Sequence, residues 1–253
     1  MKTVLITGAA NGIGLATARH YAGRGWFVGL YDIDREGVEK LLSTGEIGRG
    51  CAGHVDVTDR NSLAAMFDDF ASHSKGRLDL FVNNAGVLTA GAFADNSADA
   101  HDAIVDVNVR GATHALQLAF PLLKATPGAT VVNLCSASSI HGIPGLAVYS
   151  ASKFYIDGLT EALHMEWREH GIRVTCVKPP VIKTSMGAQV ESRLNTRLPV
   201  TFTPDDVAST IQRAAEGRDT DYFIGWSTWA WSLIDRLLPN PLRHALTRYL
   251  SGT

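Results

Sequence analysis

The sequence predicts an α/β fold built on a doubly wound parallel sheet of about seven strands. Short apolar runs alternate with longer stretches that carry apolar residues at helical spacing, from one end of the chain to the other. This alternation is the pattern of βαβ units. No linker or low-complexity segment divides the 253 residues, and one α/β domain of this length is common. We therefore expect residues 1–253 to form a single domain with residues 226–253 as its helical tail.

The predicted strands are apolar runs of five to seven residues. They are rich in Val, Leu, Ile and Phe, as strands buried on both faces of a parallel sheet are. In chain order they cover residues 3–7, 27–32, 52–56, 78–83, 130–136, 173–179 and 221–225.

In the stretches between the strands, apolar residues recur at helical spacing. The predicted helices lie within residues 12–25, 62–74, 102–125, 152–171 and 203–217. Several of them end at a glycine, where a helix C-cap is expected. The last one opens with Thr203 as a cap, Pro204 at the first helical position and two acids in the first turn.

Composition excludes several classes of function. The net charge is -2 and no run of Lys or Arg concentrates positive charge, which argues against nucleic acid as the main partner. Cys51, Cys135 and Cys176 are odd in number, far apart and without CxxC spacing, so they predict neither a disulfide framework nor a metal site. Reduced thiols favour a cytoplasmic protein. The apolar stretch at the N-terminus is too short for a signal peptide or a membrane span.

A glycine-rich turn follows the first predicted strand. In TGAANGIG, residues 7–14, the glycines Gly8, Gly12 and Gly14 lead into a helix. Such a turn lets the backbone approach a pyrophosphate and points the helix N-terminus at the phosphates. Tight turns also use glycine for conformational reasons alone. The position between a strand and a helix favours the dinucleotide interpretation.

An acid ends the second predicted strand. Asp32 lies eighteen residues after Gly14, where its carboxylate can accept hydrogen bonds from the hydroxyls of an adenosine ribose. The same charge would repel a 2′-phosphate, and neither Asn11 nor Ile33 offers a compensating positive charge. The pattern therefore favours NAD over NADP. The alternative is an acid that only forms a turn or caps a helix.

The segment YSASK, residues 149–153, places Tyr149 and Lys153 four positions apart. On a helix these two side chains share one face, one turn apart. On its own this spacing is also typical of a solvated helix surface.

Several short motifs occur together in a recognisable order. They are TGAANGIG (7–14), NNAG (83–86), VNVRG (107–111), Ser136 and YSASK (149–153). With them the chain resembles the short-chain dehydrogenase/reductase family, from residue 1 to about residue 225. The resemblance implies a Rossmann-type sheet of seven strands, a nicotinamide cofactor and assembly into a homo-tetramer or homodimer.

The resemblance also assigns catalytic roles. It implies that Tyr149 exchanges a proton with the substrate oxygen, that Ser136 holds this oxygen, and that Asn108 supports a water-linked proton path. Lys153 would bind the nicotinamide ribose and lower the pKa of Tyr149. The last role is physically reasonable, because a free tyrosine has a pKa of about 10 and an ammonium group about 4 Å away favours the phenolate.

Two of these assignments have alternatives. Ser136 lies thirteen residues before Tyr149, the separation usual in the family, whereas Ser138 and Ser139 are interpreted as loop hydroxyls near the substrate. Asn108 falls within a predicted helix, where an Asn can simply bond to a neighbouring backbone group.

The resemblance further implies the residues that bind the cofactor. Asn84, Ala85 and Gly86 would line its adenosine side, and Asp56 would contact the adenine amino group, unless it caps the following helix. The full predicted set is Gly8, Asn11, Gly12, Ile13, Gly14, Asp32, Ile33, Asp56, Val57, Asn84, Ala85, Gly86, Tyr149, Lys153, Pro179, Ile182 and Thr184.

One motif departs from the family pattern. After the sixth predicted strand the usual Pro-Gly pair is Pro179-Pro180, so the loop expected to bind the carboxamide lacks a conformationally free glycine. We expect a stiffer loop in which Ile182 and Thr184 still offer backbone groups and a hydroxyl.

The loops that should contact substrate are largely apolar. They lie near Val87 and Leu88, at residues 140–146 and at residues 186–197, with His141 and Met186 as candidate contacts. These observations predict an NAD-dependent oxidoreductase of the EC 1.1.1 type, acting on a secondary alcohol or ketone with an apolar body. The alternatives are a cofactor-binding regulator without turnover and an epimerase or isomerase without net redox change.

The tail has two interpretations. Trp226, Trp229 and Trp231 precede leucines at helical spacing, with a break near Pro239. A pair of helices packed on the domain or on another subunit would produce this pattern. The alternative is interfacial membrane contact, because tryptophan and leucine on one face and arginines on the other are typical of such helices.

Overall fold

The computed structural model of the protein describes residues 1–193 and 201–251. Its centre is a seven-stranded parallel sheet with the order β3-β2-β1-β4-β5-β6-β7. The predicted fold class is therefore confirmed. The strands are β1 (Thr3–Thr7), β2 (Phe27–Asp32), β3 (Gly50–His54), β4 (Leu80–Asn83), β5 (Thr130–Leu134), β6 (Arg173–Lys178) and β7 (Asp221–Phe223).

Helices occupy the connections between strands, and two more follow β7. They are α1 (Gly12–Ala22), α2 (Arg35–Ser43), α3 (Arg60–Ser74), α4 (Ala98–Val105), α5 (Ala112–Lys124), α6 (Ala147–Glu166), α7 (Ser185–Arg193), α8 (Pro204–Glu216), α9 (Trp226–Leu237) and α10 (Asn240–Ser251).

The predicted and observed boundaries differ where polar turns end the strands. β3 lies two residues earlier than predicted, because Asp56 accepts hydrogen bonds from the backbone and hydroxyl of Thr58 and so forms a turn. β5 ends at Leu134, since Ser136 caps a 3₁₀ turn over Ala137–Ser139. The stretch 102–125, predicted as one helix, contains a π-helical turn at Asp106–Gly111 between α4 and α5. Neither α2 nor α7 was predicted, and α2 buries only Val38, which leaves a weak apolar period.

Alternate strand residues enter two cores on opposite faces of the sheet. On β1, Leu5 packs with residues of α3 and α5, whereas Val4 and Ile6 pack with residues of α1 and α8. This alternation follows from the two-residue period of a strand. It explains why the strands read as continuous apolar runs, because both faces are covered.

A buried polar ladder joins two central strands to α6. Asn83 Nδ2 on β4 donates to Asn133 Oδ1 on β5 at 3.0 Å, and Asn133 Nδ2 donates to Thr160 Oγ1 on α6 at 2.9 Å. Thr160 in turn donates to the Ile156 carbonyl at 2.7 Å. Asn133 and Thr160 are fully buried, so each bond is made away from water. The ladder fixes α6 against the sheet.

The tail helices α9 and α10 are held to the body by a buried carboxylate. Asp235 on α9 has Oδ1 3.1 Å from His141 Nδ1 and Oδ2 3.4 Å from an Arg243 nitrogen on α10. Thr228 and Thr247 are also buried. Among the residues described, no helix combines the length and the apolar character needed to cross a bilayer.

We predict that Asn133→Ala lowers the free energy of unfolding by about 1–3 kcal/mol, because it leaves the buried Asn83 amide without its partner on β5. Urea unfolding of the variant and of the parent chain measures this change. The control is Asn61→Ala on the exposed side of α3, where the change should stay within about 0.5 kcal/mol. Equal unfolding midpoints for the two variants would show that the ladder contributes nothing.

Candidate active site

A cavity of about 960 Å³ opens at the carboxyl ends of the strands. Ligands of open α/β sheets bind at this edge, where the strand order reverses; here the reversal lies between β1 and β4. Every residue predicted to bind the cofactor lines this one cavity, as do Ser136 and Met186. The fold therefore brings together predicted site residues that are up to 178 positions apart in sequence, from Gly8 to Met186.

The glycine turn has the backbone geometry that only glycine adopts easily. Gly8 and Gly12 have φ of 68° and 53°, in the left-handed region. A Cβ on Gly14 would lie 1.9 Å from the Gly8 carbonyl oxygen, so no side chain fits there. Asn84 Nδ2 holds the turn by donating to the carbonyls of Thr7 and Gly8 at 2.8 and 3.0 Å.

The N-terminus of α1 faces the cavity without a cap. The Asn11 side chain makes no capping hydrogen bond, and the first turn contains no acidic residue. Its backbone N–H groups and the positive end of the helix dipole therefore remain available to an anion. Phosphate oxygens of a dinucleotide are suited to this position.

Asp32 is buried and firmly oriented. Its Oδ2 accepts from the Ala10 amide at 2.9 Å and its Oδ1 accepts from the Asp34 amide at 3.0 Å. The carboxylate thus connects the glycine turn to the end of β2 while one edge of it still faces the cavity. Ile33 beside it is exposed.

Asp56 lines the cavity and does not cap the following helix. The N-cap of α3 is Asp59, whose Oδ1 accepts from the Asn61 amide at 2.9 Å. Asp56 Oδ1 instead accepts from the Thr58 amide and hydroxyl at 2.9 and 2.7 Å. The capping alternative left open by the sequence is wrong, because the turn adds three residues before the helix begins.

Tyr149 and Lys153 lie one turn apart near the start of α6, and Ser136 lies opposite them. The Ser136 side chain is close enough to Tyr149 to lower the pKa of this tyrosine. Lys153 is buried, with Nζ 2.8 Å from the Leu134 carbonyl oxygen and 5.6 Å from the centre of the Tyr149 ring. The three side chains therefore meet at one wall of the cavity.

Burial is the main influence on the protonation of Tyr149 and Lys153. It raises the pKa of Tyr149 to about 12, against the smaller lowering effect of Ser136. It also lowers the pKa of Lys153. The lowering of the Tyr149 pKa by Lys153 stays a prediction, because burial is the largest influence on this pKa and it disfavours the phenolate.

Asn108 lies behind the cavity wall. Its Oδ1 accepts from the Val87 amide at 2.8 Å, and its Nδ2 donates to the Val87 carbonyl and the Ser152 hydroxyl at 2.9 and 3.1 Å. It is not among the residues that line the cavity. The π-helical turn at Asp106–Gly111 presents this side chain to the loop after β4 and to α6, which it joins.

The other two serines of this loop, Ser138 and Ser139, differ in their hydrogen bonds. Ser139 donates to the Ser136 carbonyl at 2.9 Å and so supports Ser136 from behind. The Ser138 hydroxyl lines the cavity and has no hydrogen-bond partner in the described part of the chain. Of the three serines, Ser136 is the one that lowers the pKa of Tyr149.

The Pro179-Pro180 loop is tied to the neighbouring strand. The Pro179 carbonyl accepts from the Ala137 amide at 2.8 Å, which couples this loop to the Ser136 turn. Thr184 Oγ1 accepts from the Gly187 amide at 3.0 Å, and Thr184 and Ile182 line the cavity. Both prolines therefore sit in a loop that keeps polar groups next to the site.

The far wall of the cavity is apolar and comes partly from the tail, which the sequence did not indicate. It is lined by Leu88, Ile143, Leu146, Met186, Val190, Phe202, Trp226, Ala230, Trp231, Ile234 and Thr247. The small Ala230 within a tryptophan-rich helix was the one available signal, because a small residue there leaves room for a ligand. Residues 194–197 of the predicted substrate loop lie outside the described residues.

His141 is placed away from the cavity, unlike Met186. It pairs with Asp235, and its ring centre lies 5.8 Å from that of His244 on α10. Burial lowers its pKa, although the Asp235 carboxylate opposes this effect. This contact joins His141 to the tail helices, and His141 is not among the residues that line the cavity.

Comparison with known proteins agrees with this geometry. The family model of the short chain dehydrogenases matches residues 2–195. Meso-2,3-butanediol dehydrogenase of Serratia marcescens is 34% identical over 216 residues, which cover 83% of this chain and 85% of that protein. Oxidoreductase UcpA of Escherichia coli is 37% identical over 219 residues, covering 85% of this chain and 79% of that protein.

Solved structures show the same fold. The 3-ketoacyl-(acyl-carrier-protein) reductase of Brucella melitensis, complexed with NADH, aligns with a TM-score of 0.79 at 27% identity, over 88% of this chain and 96% of that one. A short chain dehydrogenase/reductase of Burkholderia phymatum in complex with NAD aligns with a TM-score of 0.81 at 24% identity, over 92% of both chains.

We predict that Gly14→Ala destabilises the protein by about 1–3 kcal/mol, because its Cβ would displace the Gly8 carbonyl and strain the turn. Gly158→Ala is the matched control. Gly158 lies inside α6, and a Cβ there meets nothing within 4 Å, so this change should be neutral or stabilise by up to about 1 kcal/mol. Thermal unfolding of both variants tests the prediction. If both variants unfold at the temperature of the parent, the turn is less crowded than described.

Proposed function

The chain belongs to the short-chain dehydrogenase/reductase family, and we propose that it transfers a hydride between NAD(H) and a secondary alcohol or ketone with an apolar body. The observation that carries this proposal is that Ser136, Tyr149 and Lys153 line the same cavity as the glycine turn. A proton-transfer group and a dinucleotide-binding turn thus face the same space.

The residues present fit a nicotinamide dinucleotide. The uncapped N-terminus of α1 suits the pyrophosphate, and Asp32 suits the adenosine ribose. Asn84, Ala85 and Gly86 line the space between them and Tyr149. When bound, the nicotinamide ring supplies or accepts the hydride.

Tyr149 would act as the acid in carbonyl reduction. Its raised pKa keeps the hydroxyl protonated at neutral pH, so a proton is available to the carbonyl oxygen as the hydride reaches the carbon. Ser136 would donate a hydrogen bond to the same oxygen and stabilise its developing charge. In the oxidation direction Tyr149 must first lose its proton, so this direction should gain as the pH rises.

Lys153 would hold a ribose hydroxyl and stabilise the phenolate. Its Nζ already donates to the Leu134 carbonyl, and an ammonium group has two further protons to donate. Asn108 would support the proton path indirectly, because it positions Val87 and Ser152.

The substrate proposal rests on the apolar far wall. Aliphatic and aromatic side chains from five segments line this cavity together with Tyr149, which favours a substrate with an apolar body over a small polyol. A panel of cyclic and long-chain secondary alcohols, assayed by the absorbance of the NADH formed, tests the reaction. Cofactor binding without turnover of any of these alcohols or the corresponding ketones would favour the regulator.

We also propose a cytoplasmic location and a homo-oligomer. The three cysteines are all free and buried, as a reducing compartment favours. Phe154, Tyr155 and Met165 on α6 are exposed, which leaves an apolar helix face for a second copy. Light scattering at micromolar concentration should give the mass of a dimer or tetramer, and a stable monomer would contradict this assembly.

We predict that Tyr149→Phe lowers kcat by roughly 10²-fold or more, because proton transfer contributes about 10²–10⁴-fold. The binding of NADH, followed by its fluorescence, should change little, since the ring that packs against the cavity is kept. Tyr155→Phe is the matched control, because Tyr155 lies on the same helix and its hydroxyl contacts only Thr113 among the described hydrogen bonds. Turnover of Tyr149→Phe near that of the parent would remove Tyr149 from the mechanism.

We predict a preference for NAD over NADP of at least about tenfold in kcat/KM, because charged hydrogen bonds are worth about 1.5–3 kcal/mol. Asp32→Ala should erode this preference, mainly by weakening the use of NAD. Steady-state kinetics with both cofactors provides the measurement. Equal use of the two cofactors by the parent chain would mean that Asp32 serves only the turn, where it bonds to Ala10 and Asp34.

A further inference from the structure

A stripe of large apolar side chains runs along the outer side of α9. Trp226, Trp229, Leu233 and Leu237 are spaced by three, four and four residues, and their exposed fractions are 82%, 56%, 48% and 76%. This spacing keeps them on one face of a helix. A stripe of this size is uncommon on a monomer surface and marks an interaction site.

The helix α10 repeats the pattern. Leu242, Ala245 and Tyr249 are spaced by three and four residues and are all exposed. Of the fifteen exposed large hydrophobic residues in the described part of the chain, seven lie within residues 226–249. Exposure of apolar surface is therefore concentrated in the tail.

The outward orientation of the stripe is built into the structure. On the inner side of α9, Asp235 is fixed by His141 and by Arg243, and Thr228 is buried. Rotation of α9 to hide the stripe would expose the Asp235 carboxylate and remove Ala230 and Trp231 from the cavity wall.

The stripe continues into the mouth of the cavity. Trp226 and Ile234 both line the cavity and are exposed to solvent. An apolar molecule can therefore pass from the outer surface of α9 into the cavity without leaving apolar contact.

We propose that the tail face formed by Trp226, Trp229, Leu233, Leu237, Leu242 and Tyr249 lies in the headgroup region of a phospholipid bilayer. Tryptophan and tyrosine are enriched at this depth, and helices of this kind lie in the plane of the interface. Residues 226–253 contain three arginines and a single acid, and that acid, Asp235, is buried. The excess positive charge favours anionic lipids.

The position of the cavity mouth favours a bilayer over a second copy of the chain as the partner of this face. A protein seated on the stripe would cover Trp226 and Ile234 and close the route to the cavity. A fluid lipid surface leaves it open to a lipophilic alcohol or ketone. This part of the argument rests on the proposed function, whereas the binding of lipid does not.

The test is co-sedimentation of the full chain with vesicles of phosphatidylcholine alone and of phosphatidylcholine with phosphatidylglycerol. We expect binding to both, and tighter binding to the anionic vesicles. The variant Trp229→Glu/Leu233→Glu should bind at least about tenfold more weakly, because it replaces two apolar side chains of the stripe with charged ones. Neither residue lines the cavity, so turnover of a water-soluble alcohol should be unchanged.

The control Phe93→Glu/Val105→Glu adds the same charges to exposed apolar residues outside the tail and should bind vesicles like the parent. The proposal is overturned if the parent sediments with neither vesicle, or if the two double variants lose binding equally. It is also overturned if Trp229→Glu/Leu233→Glu reduces the oligomer mass in light scattering, since the face then contacts a second copy. A parent chain that is inactive but still binds vesicles would refute the proposed dehydrogenase activity and support the proposed membrane contact.

Discussion

The parallel pairing of β1 with β2 on one side and with β4 on the other is the constraint on which the site depends. Because the connections leave β1 and β4 in opposite directions, the loops at their carboxyl ends separate and leave a crevice. The glycine turn and the NNAG segment are the two sides of this crevice. They are joined at its base, where Thr7 Oγ1 accepts from the amides of Asn84 and Ala85.

The second requirement is a rigid α6. The polar ladder through Asn133 and Thr160 fixes the middle of this helix, and the Ser152 hydroxyl bonds to Asn108 nearer its start. Lys153 adds a bond to the end of β5. Groups that transfer protons must be held to within a fraction of an ångström, so these buried polar contacts connect the stability of the core with the chemistry proposed for Tyr149.

The tail combines two functions in one pair of helices. Its inner side completes the apolar wall of the cavity, while its outer side exposes an unusual density of tryptophan and leucine. Both depend on Asp235, which sets the rotation of α9 through His141 and Arg243. The tail is also the part of the molecule where a difference in substrate from the relatives can arise without change at Tyr149.

The sequence by itself determined the fold class and predicted many of the residues that line the cavity around the glycine turn. The spacing of apolar residues and the placement of glycines are local properties of the sequence. They therefore predicted the first two strands, the turn at Gly8 and the position of Tyr149 one helical turn from Lys153. Tertiary structure alone decided the rest, because burial and contact depend on segments distant in the chain. It placed His141 against Asp235 and Asn108 behind the cavity wall, assigned the cap of α3 to Asp59, and brought Ala230 and Trp231 into the cavity wall. It also set the direction of the Tyr149 pKa shift, since burial raises this pKa more than the Ser136 side chain lowers it.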